Sequence, residues 1–209
     1  MDLHDALTQV RQMRDALQER RQFRGYSGRA RLFGGGLALA CAFVLASHAT
    51  AKPKAHFLAW LIVLVMSLAA NYGALLLWFF SRDGAGRDRS AVRPAYDALA
   101  PLALGGLLTL ALARAGTYDL LFGTWMCCYG LAHLPYRLTL PRLNYLVGLG
   151  YLAAGAACLV VLGAGILNPW PMGVVFFIGE TCGGFTLIQD DRRHEQELRY
   201  AREKSDVES

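Results

Sequence analysis

Residues 57–80 read F-L-A-W-L-I-V-L-V-M-S-L-A-A-N-Y-G-A-L-L-L-W-F-F and carry no charged side chain. A helix needs about 20 apolar residues to cross the hydrocarbon core of a bilayer, so this stretch predicts a transmembrane helix. Five further segments are apolar and long enough, or nearly so, to do the same. The sequence therefore predicts an all-α polytopic membrane protein with six transmembrane helices. The six segments cover residues 32–50, 57–80, 98–113, 120–136, 144–166 and 170–189.

The composition and the placement of charge agree with this fold class. Of the 209 residues, 55% are hydrophobic and 18% are charged, whereas a soluble domain has about 25% charged residues. Most charges lie before Leu32, between Arg82 and Asp97, or after Gln189. Between the third and fourth segments lie only the residues R-A-G-T-Y-D, so these two short segments predict a tight helical hairpin.

The Lys and Arg residues predict the orientation of the chain. With the N-terminus inside, all but three of the 21 Lys and Arg residues fall on the cytoplasmic side. The positive-inside rule then places both termini in the cytoplasm. The exceptions are Lys52, Lys54 and Arg114. We expect residues 1–31 to be a cytoplasmic N-terminal region, residues 32–189 the membrane domain, and residues 190–209 a charged cytoplasmic tail. A cleaved secretory signal is a weaker reading of the first segment, because the leader before it is long and patterned.

The N-terminal region predicts an amphipathic helix. Its apolar residues recur at spacings of three and four, which places them in one stripe on a helix. Such a stripe can lie on the bilayer surface, pack on the protein's own loops, or bind a protein partner or a second copy of the chain. The stripe consists of Leu3, Ala6, Val10, Met13 and Leu17.

Glu180 is the only charged residue between Arg142 and Asp190. An ionised carboxylate is costly within a membrane, so it marks either a proton- or cation-linked site or a hydrogen-bonded residue that fixes helix packing. Asn71 and His133 are its candidate partners, and Asn71 matches its expected depth better. Gly179 and Gly183 form a G-x-x-x-G pattern that favours close helix packing.

Other chemistry finds little support in the sequence. The five cysteines all lie in apolar segments without C-x-x-C spacing, which argues against a disulfide framework and a zinc site. The sequence contains neither H-E-x-x-H nor G-x-S-x-G, and the histidines lie at depths that do not suit a haem. We therefore predict no enzyme activity, no metal and no cofactor. The net charge of +5 lies beside apolar segments and suits anionic lipid better than nucleic acid.

Three short motifs add a resemblance. They are F-R-G-Y at 23–26, G-T-W-M-C-C-Y-G-L-A at 123–132 and L-P-R at 140–142. With these motifs the chain resembles a loosely defined group of small bacterial membrane proteins without assigned activity. The resemblance implies a bacterial inner membrane location and brings no catalytic residues.

Two functions follow as expectations. The first is a non-enzymatic membrane component, an interaction or regulatory subunit that uses its cytoplasmic N-terminal helix. The alternative is a small proton- or cation-linked transporter or channel that uses Glu180.

Overall fold

The structure is a computed structural model that describes residues 27–47, 52–80, 93–160 and 165–208. The described residues form helices and contain no strand. Two short 3-10 helices, Tyr118–Leu120 and Leu134–Leu138, flank the fourth α-helix. The α-helices are α1 (Gly28–Ser47), α2 (Pro53–Phe80), α3 (Arg93–Ala115), α4 (Leu121–His133), α5 (Arg142–Val160) and α6 (Trp170–Glu208).

Five of these helices, α1, α2, α3, α5 and α6, are long and apolar enough to cross a membrane. The all-helical class is confirmed, and the five helices indicate a membrane protein. Helix α4 has 13 residues and is too short to be identified as a membrane-spanning helix by length alone. The predicted N-terminal amphipathic helix lies outside the described residues.

Helix α1 begins earlier than the sequence suggests. The hydroxyl of Ser27 accepts a hydrogen bond from the Ala30 N–H at 3.3 Å, and Ser27 O accepts one from the Arg31 N–H at 3.2 Å. Serine favours this N-cap position because its side chain satisfies one of the free N–H groups of the first turn. Arg31 therefore lies within α1, four residues of which precede the predicted first span at residue 32.

The hairpin predicted between the third and fourth segments is present. Gly116 has a positive φ of 72°, which glycine adopts without steric cost. Its N–H bonds to Ala113 O at 3.3 Å, and the Thr117 N–H bonds to Leu112 O at 3.0 Å. This pair of bonds closes the end of α3, and the chain then turns back into α4.

The helices pack as antiparallel neighbours through small residues. On α1 and α6, a Cβ added to Gly28 would lie 2.5 Å from Gly184 O. On α4 and α5, a Cβ added to Gly130 would lie 2.7 Å from Gly148 O. Both pairs of backbones approach so closely that only glycine fits, which is a common way for membrane helices to associate.

Helix α2 is the outlying member of the bundle. It packs along α1, whereas it makes few backbone contacts with α3 within the described residues, although α3 is the next helix in the chain. At one end, large side chains connect α2 with α4, where the rings of Trp60 and Phe122 lie 5.5 Å apart. The space left between α2 and the other helices becomes the cavity described below.

Helix α6 continues without a break through the predicted last span and into the predicted charged tail. Its 39 residues correspond to a length of about 58 Å. The side chains described beyond Gln189 are exposed. The boundary at residue 190 is therefore a change in composition along one helix.

Candidate functional site: a buried ion pair beside an intramembrane cavity

An ion pair between Arg31 on α1 and Glu180 on α6 lies at the centre of the bundle. Arg31 Nε donates to Glu180 Oε2 at 2.8 Å, and Arg31 Nη2 donates to Glu180 Oε1 at 3.0 Å. Arg31 is fully buried and Glu180 is 3% exposed. A guanidinium fork that meets both carboxylate oxygens is the strongest form of such a pair, and the two charges cancel.

Two tyrosine hydroxyls complete the surroundings of the carboxylate. Tyr129 on α4 donates to Glu180 Oε1 at 3.0 Å, and Tyr151 on α5 donates to the same atom at 2.9 Å. Together with Arg31, these groups supply four hydrogen bonds to Glu180. Three of these bonds meet Oε1 and one meets Oε2, so both carboxylate oxygens are bound by side chains from three other helices.

The guanidinium also holds two neighbours on other helices. Arg31 Nη1 donates to Asn144 Oδ1 on α5, and Arg31 Nη2 lies 3.2 Å from His133 Nε2 on α4. His133 Nδ1 lies 2.9 Å from the carbonyl oxygen of Tyr129, which can only accept. His133 therefore donates from Nδ1 and accepts the Arg31 bond at Nε2. This arrangement joins α1, α4, α5 and α6 in one polar network.

Glycines on α6 and α1 provide the room for these side chains. A Cβ at Gly183 would overlap the Arg31 guanidinium, and a Cβ at Gly179 would overlap the Tyr151 hydroxyl. A Cβ at Gly35 would lie 2.8 Å from the Glu180 Cβ. The G-x-x-x-G pattern at 179 and 183 thus accommodates polar side chains, while the neighbouring Gly184 makes the close backbone contact.

Aromatic rings surround the network on one side. The rings of Tyr129 and Phe176 stack at 5.1 Å, and the Tyr151 and Phe176 rings lie 4.9 Å apart. The Tyr129 and Tyr151 rings meet edge to face at 5.1 Å. These contacts hold the two hydroxyls in the direction of Glu180 and keep the ion pair in an apolar shell.

A cavity of about 310 Å³ lies beside this network, between α2 and the helices α1, α3, α4 and α6. Its walls are mostly apolar. Glu180, His133 and Tyr129 form part of one wall, and Ser67 and Asn71 on α2 form part of the opposite wall. The volume is at the lower end of the range for small-molecule sites, about 300–1,000 Å³.

The predicted polar residues lie around this cavity in two groups. Glu180 and His133 both contact Arg31, which is long enough to bridge the difference in depth between them. Asn71 is not the partner of Glu180: its amide donates to Ser67 O at 3.0 Å, and its Oδ1 has no partner among the described residues. The N-terminal candidates Leu3, Val10, Met13 and Leu17 lie outside the described residues.

Sequence reasoning missed the residue that organises the site. Arg31 stands one position before the predicted first span and was counted with the cytoplasmic charges. Its signal is the Ser27-Gly28 pair, which favours a helix start before the arginine. Tyr129 and His133 carry a second signal, because residues four apart share one helix face. Nothing in the sequence alone indicates which helix that face meets.

No group of three His, Cys, Asp or Glu residues in the described part of the chain could hold a metal ion. In comparisons with known proteins, no family model, no curated protein and no solved structure matches this chain. The function therefore has to be argued from the site itself.

Proposed function

We propose that this chain is a non-enzymatic integral membrane protein that binds a small, mostly apolar molecule in the cavity between its helices. The observation that carries the proposal is the cavity of about 310 Å³ beside the buried Arg31–Glu180 network. Concave, largely apolar spaces with a few polar groups are the usual form of ligand sites. The chain would lie in a bacterial inner membrane with both termini in the cytoplasm, as the Lys and Arg distribution favours.

The polar network supports a binding role because it makes one wall rigid. Arg31 and Glu180 join the helices on one side of the cavity, and breaking a buried pair of this kind costs about 3–5 kcal/mol. Helix α2 on the other side is held mainly by α1. A fixed wall that faces a less constrained helix can admit a ligand without disturbing the network.

A sixth membrane crossing is part of this proposal. Helix α4 and the 3-10 helix after it together measure about 30 Å, the thickness of a hydrocarbon core. Gly123 lies against Leu159 near the end of α5, and His133 lies against Gly148 near its start. The α4 segment thus runs beside most of α5, which supports a full crossing. With six crossings, the two termini would lie on the same side.

The test is photolabelling with a small, uncharged aryl diazirine in nanodiscs, followed by peptide mapping. We expect saturable labelling at Ser67 and at other cavity residues, competed by an excess of the parent arene.

Gly106 lines the cavity, and a Cβ there would meet no atom within 4 Å. Gly106→Phe should therefore fill the cavity and reduce this labelling several-fold. Gly150 is also open but does not line the cavity, so Gly150→Phe is the matched control. Labelling that cannot be competed would refute the proposal.

Transport linked to a proton or a cation is the second candidate, favoured by the position of Glu180 and His133 on the cavity wall. It predicts that Glu180→Gln abolishes a pH-dependent flux in proteoliposomes while the fold persists. The bonding of the carboxylate argues against it, since Glu180 is held by Arg31 and by two tyrosine hydroxyls. An unchanged flux would rule this candidate out.

A further inference from the structure

We infer that the molecule in this cavity is one hydrocarbon chain of a membrane lipid, which enters sideways between α2 and α3. This inference rests on the proposed function and names the ligand class of the same site. Three observations support it: the shape of the cavity, the position of its open side, and the neutralisation of Glu180 by Arg31 in its wall.

The cavity is long and narrow. On α2 its lining runs from Trp60 to Leu75, a distance of about 22 Å along the helix. The lining residues on this helix recur every three or four positions, so they form one continuous face. A volume of about 310 Å³ spread over this length fits one extended chain better than a rounded molecule.

Both ends of the cavity are closed by side chains. At the end near the α3–α4 turn, the Phe57 and Trp125 rings lie 6.4 Å apart, and the Trp60 and Phe122 rings lie 5.5 Å apart. At the other end, Leu75 packs against a buried cluster of Ala98, Ala132 and Tyr136. Within the described residues, these side chains therefore obstruct a ligand that moves along the axis of the cavity.

The side between α2 and α3 is the open one. Within the described residues these two helices make few backbone contacts with each other. Gly106 on α3 is exposed and faces open space, and Leu64 on α2 is 42% exposed although it lines the cavity. For a helix in the bilayer, this side meets the hydrocarbon region, where the available molecules are lipid chains.

The electrostatics of the wall favour an uncharged ligand. Glu180 is neutralised by Arg31, and His133 accepts a bond from the same guanidinium. Thr109 is also occupied, since it donates to Gly105 O and accepts the Trp125 indole N–H. A charged group that entered the cavity would lose its hydration without gaining a free countercharge.

The experiment uses a phospholipid with a diazirine in the middle of one acyl chain, incorporated into nanodiscs with the full-length protein. After irradiation, we expect crosslinks at Ser67 and Leu102, which line the cavity. Gly106→Phe should reduce these crosslinks several-fold, and Gly150→Phe should leave them unchanged. Leu102→Trp is a second cavity-filling variant in case Gly106→Phe does not fold, as judged by circular dichroism.

The outcomes separate this inference from the proposed function. Crosslinks only at lipid-facing residues such as Leu77 and Leu107, unaffected by either cavity-filling variant, would overturn the lipid-chain inference. If the small aryl diazirine still labels the cavity saturably in that case, the proposed function stands. If neither probe labels the cavity, both the inference and the proposed function are wrong.

Discussion

The Nε atom of Arg31 lies 2.8 Å from Oε2 of Glu180, although the two residues are 149 positions apart in the chain. Both side chains are buried, so the pair holds two opposite charges inside the helix bundle. A charge left alone at this depth would be costly, so each residue depends on the other. This dependence leads to the first prediction.

We expect Glu180→Leu or Arg31→Met alone to lower the free energy of unfolding by about 3–5 kcal/mol, because each removes one partner of a buried ion pair. The double variant Arg31→Met, Glu180→Leu should recover most of this loss, since well-packed apolar residues can replace a buried pair. Unfolding in mixed micelles of sodium dodecyl sulfate, followed by circular dichroism, measures the three values. Additive losses in the double variant would contradict the coupling.

Removal of a tyrosine hydroxyl should lower the free energy of unfolding by less than loss of the ion pair. Tyr151→Phe removes a donor to Glu180 Oε1 without changing the ring, and we expect a loss of about 1–2 kcal/mol. Tyr145→Phe on the same helix is the matched control, because Tyr145 lies outside the network. The same unfolding experiment compares them. Equal stability of the two variants would show that this hydroxyl does not support the carboxylate.

The close contact of α1 with α6 predicts opposite effects of alanine at two glycines. A Cβ at Gly184 would lie 2.7 Å from Gly28 O, so Gly184→Ala should cost about 1–3 kcal/mol through overpacking. A Cβ at Gly36 would meet nothing within 4 Å, so Gly36→Ala should leave stability unchanged or raise it by up to about 1 kcal/mol. Thermal unfolding in detergent ranks the variants. If Gly184→Ala is as stable as Gly36→Ala, the helices do not approach as described.

The proposed sixth crossing predicts that Thr117 and Thr139 lie on opposite sides of the membrane. We would place a single cysteine at either position in a variant that lacks the five native cysteines. A membrane-impermeant maleimide added to right-side-out vesicles should label Thr117→Cys and spare Thr139→Cys until the vesicles are opened. Labelling of both from one side would mean that the α4 segment does not cross.

The interaction role of the N-terminal helix remains a prediction from the apolar stripe that contains Leu3, Val10, Met13 and Leu17. Deletion of residues 2–24 should change the oligomer size or remove co-purifying proteins, because the stripe would lose its partner. Size-exclusion chromatography with light scattering, together with mass spectrometry of the purified sample, measures both. No change in either would refute this role.

Much of the fold is predictable because the signals are local. A stretch such as residues 57–80 has to form a helix in a bilayer, since no water is present to bind its backbone. The apolar composition of each helix likewise identifies it as a candidate membrane span, independently of the others. This holds for α1, α2, α3, α5 and α6. Helix α4 is harder to assign, because the proposed crossing depends on the 3-10 helix after it and on the helices beside it.

The candidate site shows where local signals end. The isolation of Glu180 in the sequence marks it as unusual, and in the structure Glu180 and His133 both contact Arg31. Its main partner is Arg31 rather than Asn71, because depth along separate helices does not specify which faces meet. The long side chain of Arg31 also reaches inward from the start of α1, so its guanidinium lies deeper in the bundle than its place in the sequence indicates.

By itself, the sequence determined the all-helical class and the apolar segments long enough to cross a membrane, because a charge-free segment of this length in a bilayer satisfies all its backbone hydrogen bonds within one helix. It also determined that a carboxylate at position 180 would need a partner. Only the tertiary structure decided that the partner is Arg31, that two tyrosines also bind the carboxylate, and that a narrow cavity remains beside α2. Those features depend on the rotation and pairing of helices far apart in the chain, which the packing of the whole bundle sets.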